Sequence, residues 1–349
     1  MSPAVRAGRA PAFRILTRGM LLRRVGVALL VLAAVGCAAL AIGPHIISPL
    51  EFFGGLSGDA SGSNHIVIFD LRLPRIILAV SVGAALAFTG TVFQALLRNP
   101  LAEPYILGIS NGCVIGAMLG IVLGVSPFLH PVLAFAGGAI AVLAVLAIGR
   151  DSFGLRSESM LLGGTMVAAI GAAVIFLLLH IVGPNLRTAV QWMLGDLSST
   201  QMGLGYASGI LFLLLLIASF FCGGALNALS MGDEEAASLG VNVVRARAIA
   251  YIAASFIVGL TVALCGAVGF VGLVVPHILR RIVGPDHRGL MPLAVIGGGV
   301  FLLVCDTVAR SILPALDSSA TELPVGAITA MIGAPLFIYL LRRGASQGE

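Results

Sequence analysis

The sequence predicts an all-α polytopic membrane protein of about ten transmembrane helices, with an inverted internal repeat. Three observations predict it. Of the 349 residues, 59% are hydrophobic and only 10% charged, against about a quarter charged in a soluble domain, and the mean hydropathy is +1.09. Apolar runs of about eighteen or more residues recur along the whole chain. The arginines fall almost entirely on one side of those runs. The weak alternation of an outer-membrane barrel is absent.

Ten spans are read, at about 24–43, 73–97, 105–124, 131–149, 159–181, 203–222, 245–265, 268–284, 289–310 and 323–342. The eighth is short and interrupted by Gly272 and Pro276. The first resembles a signal peptide, with Arg23 and Arg24 before an apolar core and a lipobox-like Val35-Gly36-Cys37. The spans that follow favour a retained helix. Residues 1–22 form an Arg-rich tail, expected to be disordered and to touch anionic lipid. Residues 23–343 form one transmembrane domain, with repeat halves at about 72–181 and 245–343 and a long loop at 227–243. Residues 344–349 are a second tail.

Orientation follows from the positive-inside rule. With a cytoplasmic N-terminus, sixteen arginines lie inside. Only Arg72, Arg75, Arg187 and Arg310 lie outside. Both termini are then cytoplasmic, and the net charge of +5 reflects this placement and not nucleic-acid binding. The repeat rests on Val82-Gly83-x3-Ala87-x2-Gly90-x-Val92, which recurs as Val258-Gly259-x3-Ala263-x2-Gly266-x-Val268. The same 176-residue offset pairs Pro100 with Pro276 and Gly108 with Gly284. Five spans separate the copies, so they run in opposite directions, as in many transporters.

All twenty basic residues are arginine. A phosphate-binding P-loop needs a lysine, so any ATP hydrolysis must sit on a partner. Cys37, Cys113, Cys222, Cys265 and Cys305 lie in apolar segments without a CxxC pair and are read as small hydrophobes.

Five features could carry function. Gly108, Gly112, Gly116, Gly120 and Gly124 put small groups on one helix face, which suits close helix packing. Arg72 and Arg75 flank Pro74 and Arg310 ends the ninth span. They are either headgroup anchors, with Arg310 pairing Asp306 at i,i+4, or a landing site for an acidic partner. The turn from Arg98 to Pro104 is stiffened by two prolines and is either a connector or a gate. In the 227–243 loop, Asp233, Glu234 and Glu235 suit a helix N-terminus. Ala236, Ala237 and Leu239 make an apolar face and Gly240 ends it. This is either a surface turn or a docking element for a cytoplasmic protein. Among the intramembrane polar groups Gln94, Thr165, His180, Asp306, Thr307 and Thr329, only Asp306 is charged, at a cost of about 2.5–3.5 kcal/mol for a mid-bilayer charge. His277 and His287 are read as interfacial and not as metal ligands.

At these positions the chain resembles the permease subunits of the iron-siderophore, haem and cobalamin ABC importers. The resemblance covers nearly everything after residue 65. It rests on Arg72-Leu73-Pro74-Arg75, Gln94, Arg98-Asn99-Pro100-Leu101-Ala102-Glu103-Pro104, Gly232-Asp233-Glu234 with Leu239-Gly240, and Gly269-Phe270-Val271-Gly272-Leu273. Further matches are Pro276-His277-Ile278-Leu279-Arg280 and Glu322-Leu323-Pro324-Val325-Gly326.

The resemblance implies a permease dimer, homomeric or heteromeric, bound to two cytoplasmic ATPase subunits and fed by an extracytoplasmic substrate-binding protein. Membrane lipid is the remaining partner. It implies no catalytic residue, metal or cofactor on this chain, ATP and Mg being the ATPase's. It assigns docking of the binding protein to Arg72, Arg75 and Arg310, and the cytoplasmic gate to Asn99 and Leu101. A second gate element lies near Ser157–Ser159, with Ser159 as the looser match. Contact with the ATPase falls to Gly232, Asp233, Glu234, Glu235, Leu239 and Gly240. The segment Arg187–Leu197 resembles a short outer helix near the pore mouth. The implied cargo is an iron chelate, a ferric siderophore or haem, with cobalamin the alternative. A carrier driven by an ion gradient would need paired intramembrane carboxylates, and the sequence has none. A channel-like protein would have no ATPase partner.

Overall fold

The computed structural model describes residues 17–43, 65–105, 107–151, 154–155, 157–198, 202–316 and 322–345. Most of the predicted tails, residues 1–16 and 346–349, lies outside them.

Helix α1 (Arg18–Ala41) starts at the Thr17 cap, whose side chain accepts from Met20 N–H. The helix therefore begins about six residues before the predicted span. A π-helical turn (Ile66–Arg72) leads into α2 (Leu73–Leu96), with Pro74 near its start. Then come α3 (Ile109–Val122), α4 (His130–Gly149), a two-residue β1–β2 ladder (Arg150–Asp151, Gly154–Leu155) and α5 (Ser157–Ile181). The short α6 (Leu186–Leu194) precedes α7 (Met202–Met231), α8 (Asp233–Ser238) and α9 (Val243–Cys265). Last are α10 (Val271–Val283), α11 (His287–Leu316) and α12 (Val325–Ala345).

Seven helical stretches are long and apolar enough to cross a membrane, while α3 and most of α12 form shorter apolar helices. The thirteen residues of α10 rise about 20 Å, less than the roughly 30 Å hydrocarbon core. Every long helix coincides with one of the ten predicted spans.

The core is built around α2, which is buried from Ser81 to Leu96 and packs against α7, α9, α10 and α11. Small residues permit this. A Cβ at Gly83 would overlap the Gly298 carbonyl of α11, and one at Gly90 would overlap Gly272 of α10. Backbones thus meet directly, as in membrane interiors where packing replaces the hydrophobic drive. Thr89 and Thr91 return their hydroxyls to carbonyls one turn back, at 2.9 and 2.7 Å, which satisfies them where water is absent.

Three of the ladder glycines, Gly112, Gly116 and Gly120, pack α3 on α4, whereas Gly108 abuts α5 and Gly124 meets nothing within 4 Å. A Cβ at Gly112 or Gly116 would strike the carbonyls of Gly137 or Leu133. Gly116→Leu is therefore expected to destabilise the fold by about 1–3 kcal/mol. Gly36→Ala, which meets nothing within 4 Å, should leave the melting temperature in detergent unchanged.

The two halves share a pattern: a long helix, a break, and a short helix opened by a left-handed residue. Gly108 (φ 76°) opens α3 and Phe270 (φ 69°) opens α10. The breaks differ in length, running over residues 97–108 after α2 and 266–270 after α9. The 176-residue offset therefore aligns α2 with α9 only. It pairs Gly108, at the start of α3, with Gly284, at the end of α10.

Candidate functional site

Polar side chains gather at both ends of the bundle. The end carrying the start of α1 is here the near face, and the opposite end the far face.

At the far face, Arg75 closes on Asp306 with Nε and Nη2 at 3.0 and 2.8 Å from Oδ1, and its Nη1 lies 2.6 Å from Glu322 Oε2. Asp306 is fully buried, whereas the Glu322 side chain is 31% exposed. Arg310, the i,i+4 neighbour, stands 3.9 Å from Asp306. Arg310 donates instead to the Ala39 carbonyl, and Arg72 donates to the carbonyls of Leu40 (2.5 Å) and Ala41 (3.2 Å). The last carbonyls of a helix lack internal partners and carry the negative end of its dipole. Two guanidiniums thus cap α1 and hold its far end to α2 and α11. All three predicted docking arginines come together here, turned inward: Arg72 and Arg310 are 5% and 2% exposed.

At the near face, α2 ends and the chain turns at Arg98, a non-glycine residue at φ 49°. The Asn99 side chain accepts from Leu101 N–H at 2.9 Å, closing the turn, and Leu101 is exposed. Ser157 Oγ donates to the Leu96 carbonyl at 2.9 Å, so the start of α5 touches the end of α2. Ser159, two residues further on, is half-buried.

Helix α8 starts here too. Gly232 sits at φ 145°, where a Cβ would strike the Glu235 carboxylate, so glycine is required. Asp233 pairs with Arg98 and accepts from Arg247 Nη2 at 2.6 Å. Glu234, Glu235, Leu239 and Gly240 are exposed while Ala236 is buried. The predicted apolar face is thus divided: Ala236 anchors the element, and Ala237 and Leu239 face outward with the acids.

Between the faces lies a link missing from the sequence reading. Residues 102–104 do not stay in a surface hairpin; they are buried in the bundle, and the Glu103 carboxylate accepts from the backbone N–H of Phe270 at the start of α10. Gln94 joins the same contact, donating to the Gly272 carbonyl at 3.2 Å and accepting from Arg280 at 2.9 Å. The only sequence signal was the pair Pro100 and Pro104, which hold the backbone extended.

His287 bonds Asn227 at 2.8 Å and His277 packs edge-on to Phe337. All five cysteines are free, and Cys37 alone is exposed.

A close-packed bundle of long apolar helices, with an exposed acidic element tied by an ion pair to the turn at Arg98, is the architecture of a multi-pass membrane protein. The chain belongs to the FecCD transport family, which matches residues 30–343. It is 40% identical over 283 residues, 79% of this chain and 73% of the relative, to the cobalamin import system permease protein BtuC of Halobacterium salinarum. It is 39% identical, over 80% of this chain and 84% of the relative, to the hemin transport system permease protein HmuU of Yersinia pestis. The Fe(3+) dicitrate transport system permease protein FecD of Escherichia coli is 35% identical, over 89% and 96%. A solved metal-chelate type ABC transporter in an inward-facing conformation superposes with TM-score 0.80 at 30% identity, covering 92% of this chain and 99% of that one. The chain is thus a multi-pass membrane permease subunit of an ABC importer, a transport component and not an enzyme, whose energy comes from partner ATPases.

Proposed function

We propose that this permease imports an iron chelate, a ferric siderophore or haem, across the plasma membrane. It works as one half of a permease dimer, on two ATPase subunits at the near face, and receives cargo from a binding protein at the far face. Both termini are then cytoplasmic, as the arginine bias favours. Ten crossings in two inverted halves fit the paired pattern of α2–α3 and α9–α10. The short α3 and α10 complete their crossings with non-helical segments, which a membrane tolerates only where protein buries them; Glu103 and Gln94 provide such burial.

The carrying observation is the Asp233 junction. Helix α8 offers acids and Leu239 to a cytoplasmic partner, and its first residue is bonded to Arg98, beside the Asn99–Leu101 turn. A push on α8 therefore reaches the proposed gate through one ion pair. At the far face, docking would proceed by exchange: an acidic partner competes with the half-exposed Glu322 for Arg75. Cobalamin is the second reading for the cargo, favoured by the 40% identical cobalamin permease.

Uptake of labelled ferric siderophore, haem and cobalamin is to be compared in cells lacking this gene, with and without the cognate ATPase gene. Restoration of iron-chelate uptake by this chain, only where the ATPase is present, is expected. Uptake that persists without the ATPase would overturn the reading.

A further inference from the structure

A groove of about 870 Å³ opens where α1 lies against α10 and α11. Its walls are apolar, with Val27 and Val31 from α1, Ile278 and Ile282 from α10, and Ile296 and Val300 from α11. The lining runs from Met20 to Val31 on α1 and from Leu293 to Val304 on α11. At 1.5 Å per residue each stretch is about 16 Å long. That is close to half of the roughly 30 Å hydrocarbon core, so the groove is one leaflet deep.

One end is charged. Arg23 and Arg24 line the mouth, at the level of Val283 and Leu293, and no acidic residue lines the groove. Neither arginine has an ion pair among the described residues. Along this same stretch α1 is held only lightly. It is largely exposed, and Val25 with Leu293 and Ile296 forms a small cluster apart from the main core.

We propose that this groove binds one anionic phospholipid, with its acyl chains along α10 and α11 and its phosphate between Arg23 and Arg24. Other lipid-facing surfaces of the chain are apolar too. Here a concavity of one-leaflet depth coincides with two cations at the headgroup level, and such basic sites between helices select anionic headgroups. The bound lipid supplies packing partners to walls that would otherwise lack them, and so fastens the near half of α1 to the bundle. Arg72 and Arg310 fasten its far half. The proposal rests on the N-terminus-inside reading only in naming the leaflet, which is the cytoplasmic one.

The test is native mass spectrometry of the permease, purified in its complex in mild detergent and titrated with phosphatidylglycerol or phosphatidylcholine. Phosphatidylglycerol is expected to bind at least about tenfold more tightly, a preference lost in R23Q/R24Q. Ala28→Trp, which fills the groove and keeps both arginines, should weaken phosphatidylglycerol binding as well. Equal binding of the two lipids, or phosphatidylglycerol binding unchanged in both variants, would overturn the proposal. So would a cysteine at Val27 that cross-links to a second protein chain in native membranes, because a polypeptide would then fill the groove. Lipid binding is read without transport, so its failure leaves the importer reading standing.

Discussion

Arg75→Ala is expected to destabilise the folded permease by about 3–5 kcal/mol, because it strands a buried carboxylate. Asp306 is fully buried and its nearest guanidinium nitrogen belongs to Arg75, 2.8 Å away. Arg310 at 3.9 Å is committed to the Ala39 carbonyl and compensates poorly. Joint replacement tells a different story. Arg75→Leu with Asp306→Leu removes both charges, and exchange of a buried pair for apolar side chains is often neutral or stabilising by about 1–4 kcal/mol. The single variant should therefore melt well below the parent in detergent and the double variant near it. Uptake in the double variant then separates two roles. If Arg75 only staples α2 to α11, uptake returns with stability. If its charge also receives the binding protein, the double variant is stable and transports nothing. Glu322→Gln serves as the companion, since it frees Arg75 from its more exposed partner and should strengthen docking.

The far-face cluster also marks where sequence reasoning runs out. Helices were legible because a bilayer leaves the backbone no alternative, and seven of the ten apolar runs coincide with helices long enough to cross it. The packing reading of the glycine ladder holds for Gly112, Gly116 and Gly120, because a spacing of four is a local property of one helix. The partner of Asp306 was not legible. The local rule points to Arg310, four residues on, while the closest partner lies 231 positions away. No periodicity within a helix reports a contact between helices. Glu103 shows the same limit. Its flanking prolines announce an extended segment but not its direction, and only the helix-start N–H at Phe270 explains why a carboxylate can enter the bundle. The start of α8 was legible from its three consecutive acids. The second use of Asp233, as a partner for Arg98 and Arg247, was not.

That second use leads to the largest functional effect expected. Arg98→Gly should leave folding nearly intact and uncouple ATP hydrolysis from transport. Arg98 sits at φ 49°, a left-handed conformation that costs a non-glycine residue about 1–2 kcal/mol. Glycine would relieve that cost. Its ion pair with Asp233 is half-exposed, 38% and 51%, and such pairs contribute roughly 0–1 kcal/mol. Stability alone thus gives no reason to keep an arginine at this position, and a strained residue retained beside a turn points to function. The pair joins α8 to the Asn99–Leu101 turn, while Arg247 holds Asp233 to the start of α9 from the other side. With Arg98 gone, α8 remains attached to α9 and, on the proposed reading, still seats on the ATPase while its movement no longer reaches the turn. In proteoliposomes, Arg98→Gly and Arg98→Gln should hydrolyse ATP at rates near the parent's while transport per ATP falls about tenfold, equivalent to a coupling of about 1.4 kcal/mol. Arg98→Lys keeps the charge and the reach and should recover most of the loss. A fall in ATP hydrolysis equal to the fall in transport would instead place Arg98 in ATPase assembly, and unchanged transport per ATP in all three variants would remove the ion pair from the coupling route.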